Sequence, residues 1–413
     1  MKKIAIVGFG LEGRALLEYF KDKAEVHIFD ENKTLLEQDL ELGCDYFFHS
    51  ELVIPVDFET IYKTPGIPLW KIKIENPEAK VSSLTNLFLE KVKGKVIGIT
   101  GTKGKSTVTS LIYKILKDAG LKVQMIGNIG LTANLDELED SGAYFVSEMS
   151  SYQCQDLQKS PDIAVFTSFF PDHLDYHLSL ENYFAAKHKI TEFQSPDNWF
   201  VTIDSLSHTP TKAKKVLINT KNLDIKTPEK TEPTLGFETK LIGEHNQVNC
   251  ALALAVSQIM GISEIQARLS IASYEPLSGR LEKIIEKSGV VFYEDALATI
   301  PEATWAAIEG LKNVDTIILG GQDRGIEFQD FAKKLATTQI RNFIIFPDTG
   351  EKMVEFVSER NLIRVKNMEE CVQAAYRFTS GICLLSTASP SYNLFKNYKD
   401  RSSQYRYWIE KLG

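Results

Sequence analysis

No basic excess exists in this chain: 47 Lys and Arg face 55 Asp and Glu, giving a net charge of −8 with no basic tail to oppose it. That balance argues against a nucleic-acid partner, although local groups can still hold anionic small molecules. Cysteine is scarce. The five present (44, 154, 250, 371, 383) are scattered, odd in number and without Cys-x-x-Cys spacing. This excludes a disulfide framework or zinc ribbon and predicts reduced thiols in a cytoplasmic protein. No apolar run approaches the roughly 18 residues of a membrane span. The short apolar run after Met1-Lys-Lys meets Gly8-Phe-Gly at once and reads as a strand, not a signal peptide. Internal repeats and low-complexity segments are also missing.

What is there is an α/β pattern, in a chain of 413 residues that is too long for one core. Ile4–Val7 and Glu25–Asp30 read as strands around a helix at Gly13–Phe20. Lys63-Thr-Pro-Gly-Ile-Pro forces a loop, and a short segment follows to about Lys93. A second block runs through apolar strands at Lys95–Thr100, Lys122–Ile126, Ala143–Glu148, Ile163–Thr167 and Trp199–Ile203, with a helix at Glu181–Phe193. Such runs suit a parallel sheet buried on both faces. Residues 204–240 read as exposed loops and edge strands, and Asn246–Met260 as a helix. A third block has strands at Val290–Tyr293, Thr316–Leu319, Asn342–Phe346 and Ile382–Ser386. Three α/β units follow, at 1–92, 93–278 and 279–413.

Two glycine turns carry chemistry. Residues 97–107 read Ile-Gly-Ile-Thr-Gly-Thr-Lys-Gly-Lys-Ser-Thr, a strand running through a turn into an amphipathic helix. Gly101, Gly104, Lys105 and Ser106 have the spacing of a phosphate-binding loop, in the shortened form because position 99 is Ile. Backbone N–H groups and the helix N-terminus would meet phosphate oxygens, Lys105 would reach the terminal phosphates, and the Ser106 hydroxyl suits Mg²⁺. The second turn, Gly8-Phe-Gly-Leu-Glu-Gly, opens the first helix, and Asp30 ends the next strand. It fits a dinucleotide, or the diphosphate of a nucleotide-linked substrate. Alone it would favour an NAD-dependent dehydrogenase, but that reading leaves the Lys105 loop idle.

These motifs, in order along essentially the whole chain, resemble the Mur ligase family and its MurD-type branch. The shared set runs through Gly8–Gly13, Thr64-Pro-Gly-Ile67, Thr100–Thr107, Asn128-Ile-Gly130, Glu148-Met-Ser-Ser-Tyr-Gln153 and Asp172-His-Leu-Asp175. It continues with Ala185-Ala-Lys187, Gly243–Asn249, Ser278-Gly-Arg-Leu-Glu282, Asp295, Thr299, Gly320–Arg324 and Leu384…Ser391. The resemblance implies three domains: a Rossmann-like UDP-substrate domain, a central P-loop ATPase-type domain, and a Rossmann-like C-terminal domain that closes over ATP and binds the incoming amino acid. It implies an ATP-dependent ligase that adds D-glutamate to UDP-N-acetylmuramoyl-L-alanine through an acyl phosphate, for peptidoglycan synthesis. L-Glutamate or another amino acid on the same nucleotide substrate is the alternative. A monomer without membrane insertion is the family-like state.

Residue by residue, the resemblance implies ATP contacts from Gly101, Thr102, Lys103, Gly104, Lys105, Ser106 and Thr107, with Asn249 at adenine, Arg280 at the phosphates and Asp295 at the ribose. Lys105, Glu148, His173 and Lys187 would be catalytic; Ser106, Glu148, His173 and Lys187 would hold two Mg²⁺ ions, the last as a carbamate. His177, His188 and Lys189 read as ordinary structural or surface residues. Gly8, Gly10, Leu11, Glu12, Asp30, Thr64, Pro65, Gly66, Asn128 and Ser150 would bind the UDP substrate. Thr299, Arg324, Ser391 and Tyr398 would line the amino-acid pocket. Three positions depart from the branch: Leu297 replaces a frequent lysine, Arg324 replaces the lysine that meets the glutamate side chain, and Glu31 follows Asp30 in place of a small polar or basic residue. An arginine can still hold a carboxylate, bidentately.

Overall fold

A computed structural model describes residues 2–32, 46–127 and 142–412. The chain divides into two compact units, one of residues 1–238 with 247–273 and one of 239–246 with 274–413.

The first unit holds two large sheets. One is five-stranded and parallel, in the order Phe47–His49, Glu25–Phe29, Lys3–Val7, Thr60–Lys63, Lys80–Ser82. Ile4, Ile6, Val26 and Ile28 pack under the helix Leu11–Phe20 through Leu16 and Leu17, while Ala5, Val7, Phe29 and Ile61 fill the opposite face. Both faces are covered, which is why Lys3–Val7 reads as an unbroken apolar run.

The other sheet is eight-stranded, in the order Thr231–Glu232, Ile225–Lys226, Lys214–Ile218, Trp199–Ile203, Ile163–Phe166, Lys95–Thr100, Tyr144–Glu148, Val123–Gly127. Only its first two strands run antiparallel to their neighbours. Lys95–Thr100 lies centrally, flanked by Ile163–Phe166 and Tyr144–Glu148. The strands that follow it in the chain therefore lie on both of its sides, and ligands of α/β sheets gather at the carboxyl ends of strands at such a point.

Lys214–Ile218, within the region expected to form loops and edge strands, is instead an interior strand paired on both sides. Its apolar signal is short, with two lysines at its start. The short strand Thr60–Lys63 also escapes the sequence pattern because it runs straight into the proline turn.

Its last residue explains part of its placement. The buried Lys63 ammonium pairs with Asp156 at 2.8 Å and donates to the carbonyl of Ile67 at 3.1 Å. Removing one partner of such a pair strands the other charge, at a cost of about 3–5 kcal/mol. Lys63→Ala should lower the urea midpoint of unfolding accordingly, and Lys63→Met with Asp156→Leu should recover much of the loss. An unchanged midpoint in Lys63→Ala would contradict this.

The second unit carries a six-stranded sheet, in the order Glu282–Lys287, Val290–Glu294, Ile382–Leu385, Val314–Gly321, Asn342–Asp348, Asn361–Arg364. All its pairs are parallel except the first. Apolar layers on both faces, with Ile317, Phe343 and Leu384 in one and Phe292, Ile344 and Leu385 in the other, fix the strand register. The antiparallel strand Glu282–Lys287 has only Ile284 and Ile285 between charged residues and gives no longer apolar run to read.

Candidate active site

The phosphate loop grows out of strand geometry. Lys95–Thr100 ends in Gly101, and the helix Lys105–Asp118 begins after Gly104, which adopts a left-handed φ of 86°. A Cβ at Gly104 would lie 2.6 Å from Oδ1 of Asn249, so this position needs glycine both for its conformation and for space. That close approach brings Asn249, on the helix Glu244–Ile259, to the loop. Thr167 and Ser168 brace the turn: their hydroxyls donate to the Lys103 carbonyl at 2.5 and 2.9 Å. Thr102 Oγ1 lies 3.1 Å from the Tyr183 hydroxyl. Lys105 folds over the turn, its Nζ 3.1 Å from the carbonyl oxygens of both Gly101 and Thr102.

Three further sequence-predicted groups converge here. Lys187, on the helix Leu180–Glu192, is only 1 % exposed and donates to the Gly101 carbonyl at 2.7 Å. Its ammonium lies 4.7 Å from the Tyr183 ring centroid. Burial, then the Lys105 charge, pushes its pKa well below the usual lysine range, a shift towards the neutral amine. Lys189, two residues on, is a surface lysine paired with Glu192.

Glu148 ends the strand next to the loop strand, in register with Ile99. It is buried, and its Oε2 has no hydrogen-bond partner. A buried carboxylate oxygen left so is costly unless a cation or donor meets it. His173 follows the strand Ile163–Phe166. Its imidazole pKa is lowered by burial and by Lys187, Lys105 and Lys103, with Asp172 opposing. His177 is a core residue, bonded to Ser151 Oγ at 3.0 Å and depressed to about 4 mainly by burial. His188 lies 3.0 Å from the Pro210 carbonyl.

Among the described residues, no three His, Cys, Asp or Glu side chains stand together as a metal site. A cation here would draw on Glu148, the Ser106 hydroxyl, His173, a carbamate on Lys187 and phosphate oxygens. The unpartnered Glu148 oxygen fits that demand.

Beside this centre is a cavity of about 670 Å³ lined by the Gly8–Glu12 turn, Asp30, Thr64–Gly66, Lys71, Gly127, Ser147 and Gln153. Gly8 takes a φ of 92° and packs against Thr64, whose hydroxyl a Cβ would strike at 2.0 Å. Asp30 braces the turn, its two oxygens accepting the N–H groups of Phe9 and Asn32 at 2.7 and 2.8 Å. Asn128 lies outside the described residues. Ser150 does not line the cavity; with Gln153 it forms a capping box on the short helix Ser151–Cys154.

Gln153 itself is the residue that sequence reasoning missed. Its Oε1 accepts the Ser150 N–H at 2.9 Å, so its amide nitrogen is the group that donates to Glu12 Oε1 at 2.8 Å. Burial pushes the Glu12 carboxyl up. Its place at the end of the Glu148–Gln153 motif is the one signal that could have found it.

In the second unit, Asp295 follows the strand Val290–Glu294, and Ser386 follows Ile382–Leu385. The Ser386 hydroxyl is 3.0 Å from Asp295 Oδ2. Burial raises the Asp295 carboxyl to about 6, against that hydrogen bond and the Arg280 charge. Arg280 is therefore close enough to Asp295 to act on it.

Ser391 is buried, and Arg324 is exposed with its guanidinium 5.3 Å from the Tyr392 ring centroid. Tyr398 opens the last helix, Tyr398–Glu410, and Thr299 lies in the turn after Asp295. Arg401, also missed, is buried and donates to the carbonyls of Ala296 and Ser389 at 2.6 and 3.3 Å. It ties the turn bearing Thr299 to the one bearing Ser391. An arginine inside a polar helix offers no sequence sign of burial.

Comparison with known proteins gives this geometry a lineage. Residues 99–257 match the family model of the Mur ligase middle domain. The chain is 32 % identical to the UDP-N-acetylmuramoylalanine–D-glutamate ligase of Christiangramia forsetii, with 100 % of each chain covered. It is 30 % identical to the enzyme of the same name from Aquifex aeolicus, over 99 % of this chain and 98 % of that one. Its fold is similar to that of MurF ligase from Thermotoga maritima, solved in complex with ADP, at a TM-score of 0.61 and 17 % identity over 94 % of each chain. The chain belongs to the Mur ligase family of peptidoglycan synthesis, in its UDP-N-acetylmuramoylalanine–D-glutamate ligase branch.

Proposed function

We propose that this ligase joins D-glutamate to the alanyl carboxyl of UDP-N-acetylmuramoyl-L-alanine at the expense of ATP. The unpartnered Glu148 oxygen beside the phosphate loop is the observation that carries the reading, since it asks for the cation that accompanies a triphosphate. The alanyl carboxylate attacks the γ-phosphorus, the β–γ bond breaks, and ADP leaves an acyl phosphate. The glutamate amine then attacks the acyl carbon, loses a proton, and inorganic phosphate departs through a tetrahedral intermediate.

Such chemistry rests on positioning and on neutralising the transferring group. Residues 101–107 cradle the phosphates, with Lys105 along the transfer path, and Asn249 reaches the adenine from beside Gly104. Arg280 at the phosphates and Asp295 at the ribose keep the roles that the resemblance implies. Mg²⁺, held by Ser106, Glu148, His173 and Lys187, would supply charge neutralisation at the phosphate oxygens.

The neutral Lys187 amine can add to CO₂, forming a C–N bond and releasing one proton to water, which turns a buried base into an anionic oxygen ligand. The cavity at Gly8–Glu12 would take the UDP moiety, its glycine turn and helix N-terminus meeting the diphosphate. Thr299, Arg324, Ser391 and Tyr398 would hold the amino acid, Arg324 gripping the side-chain carboxylate. The proposed functional domains are 1–92, 93–278 and 279–413, a reading supported by one large sheet in each. The enzyme is proposed to act as a cytoplasmic monomer.

Parallel assays of UDP-N-acetylmuramoyl-L-alanine with D-Glu, L-Glu, meso-diaminopimelate and L-Lys should give product with D-Glu, at least tenfold faster than with any other. Efficient reaction with L-Glu alone would move the assignment to the alternative acceptor. Reaction with neither enantiomer would overturn it.

A further inference from the structure

The surroundings of His173 contain a partner that the reaction so far does not use. The Tyr152 hydroxyl lies 2.7 Å from His173 Nδ1, with ring centroids 5.0 Å apart. Tyr152 is itself held in place. Its ring packs at 4.3 Å from Tyr176 and stacks at 8° to His177, on a turn closed by the Ser150–Gln153 capping box. His173 sits in left-handed backbone at φ 53°, its N–H turned onto Asp172 Oδ1 at 3.0 Å. These contacts set the Nδ1 edge of the ring against the Tyr152 hydroxyl.

We propose that Tyr152 is the positioning residue of His173: its phenol oxygen accepts the Nδ1–H, fixing the tautomer that leaves the Nε2 lone pair for a cation. Metal-binding imidazoles generally donate their second N–H in this way, which aims the ring and raises its basicity. The Nε2 atom is 3.8 Å from Asp172 Oδ2, too far to be held as a donor. The proposal rests on the reading of His173 as a metal ligand.

Tautomers are measurable without any metal. Full-length protein labelled with ¹⁵N in its histidine rings gives long-range ¹H–¹⁵N correlations, and His173 is assigned among the seven histidines by its loss in His173→Gln. In the wild type the ring should carry its proton on Nδ1, with Nε2 bare. Tyr152→Phe keeps the ring packing but removes the hydroxyl, and both tautomers should then appear. Mn²⁺ binding, followed by electron paramagnetic resonance, should weaken about tenfold in the same variant. A wild-type proton on Nε2, or a tautomer unchanged in Tyr152→Phe, overturns the proposal. Unchanged Mn²⁺ affinity in His173→Gln overturns the ligand reading instead, and the tautomer spectrum still decides the role of Tyr152.

Discussion

Lys105→Ala should reduce acceptor-dependent ADP release by at least about 10²–10³-fold, the cost of removing a preorganised charge from a developing anion. Nζ of Lys105 rests on the Gly101 and Thr102 carbonyls, so the ammonium is placed over the turn before any phosphate arrives. The variant should unfold close to the wild-type temperature. Binding of the UDP substrate should also survive, because the Gly8–Glu12 cavity does not include Lys105. Undiminished turnover would rule out the loop as the triphosphate site.

The second large effect belongs to Lys187. As an amine it is an awkward core residue: buried, bonded to a single carbonyl at 2.7 Å, and pushed by burial towards its neutral form. Lys187→Ala should lose about 10²-fold or more of the activity, and small carboxylates such as acetate or formate should restore part of it by supplying the missing oxygens. Lys187→Met tests the same point from the other side. A thioether of similar length should raise the thermal midpoint while abolishing activity, because a desolvated base is exchanged for an apolar chain. The sign follows from the depressed pKa. The native state resists protonation at this site, so the penalty that Met removes grows as pH falls. Full activity in Lys187→Ala without added carboxylate would end the carbamate reading.

Legibility in the sequence followed the kind of constraint involved. Strand Lys95–Thr100 and its loop could be read because burial on both faces demands an apolar run, and a left-handed turn beside Asn249 demands glycine. Glu148 and His173 could be placed at strand ends for the same reason. Partnerships across sequence were not legible. Gln153 and Glu12 are 141 residues apart, and neither residue type announces the other. Ser150 illustrates the opposite case, since a serine before a short helix serves as its cap and that local role is legible from the sequence. Arg401 was invisible because helix periodicity cannot say that a guanidinium faces two carbonyls.

The short helix Ser151–Cys154 has a consequence of its own. Its four consecutive side chains go to four separate places: Ser151 to His177, Tyr152 to His173, Gln153 to Glu12, and Cys154 to the Thr100 hydroxyl at the base of the phosphate loop. Here no position is spare, so in a saturation library this turn should tolerate the fewest replacements, and viable variants should arise mainly through paired changes.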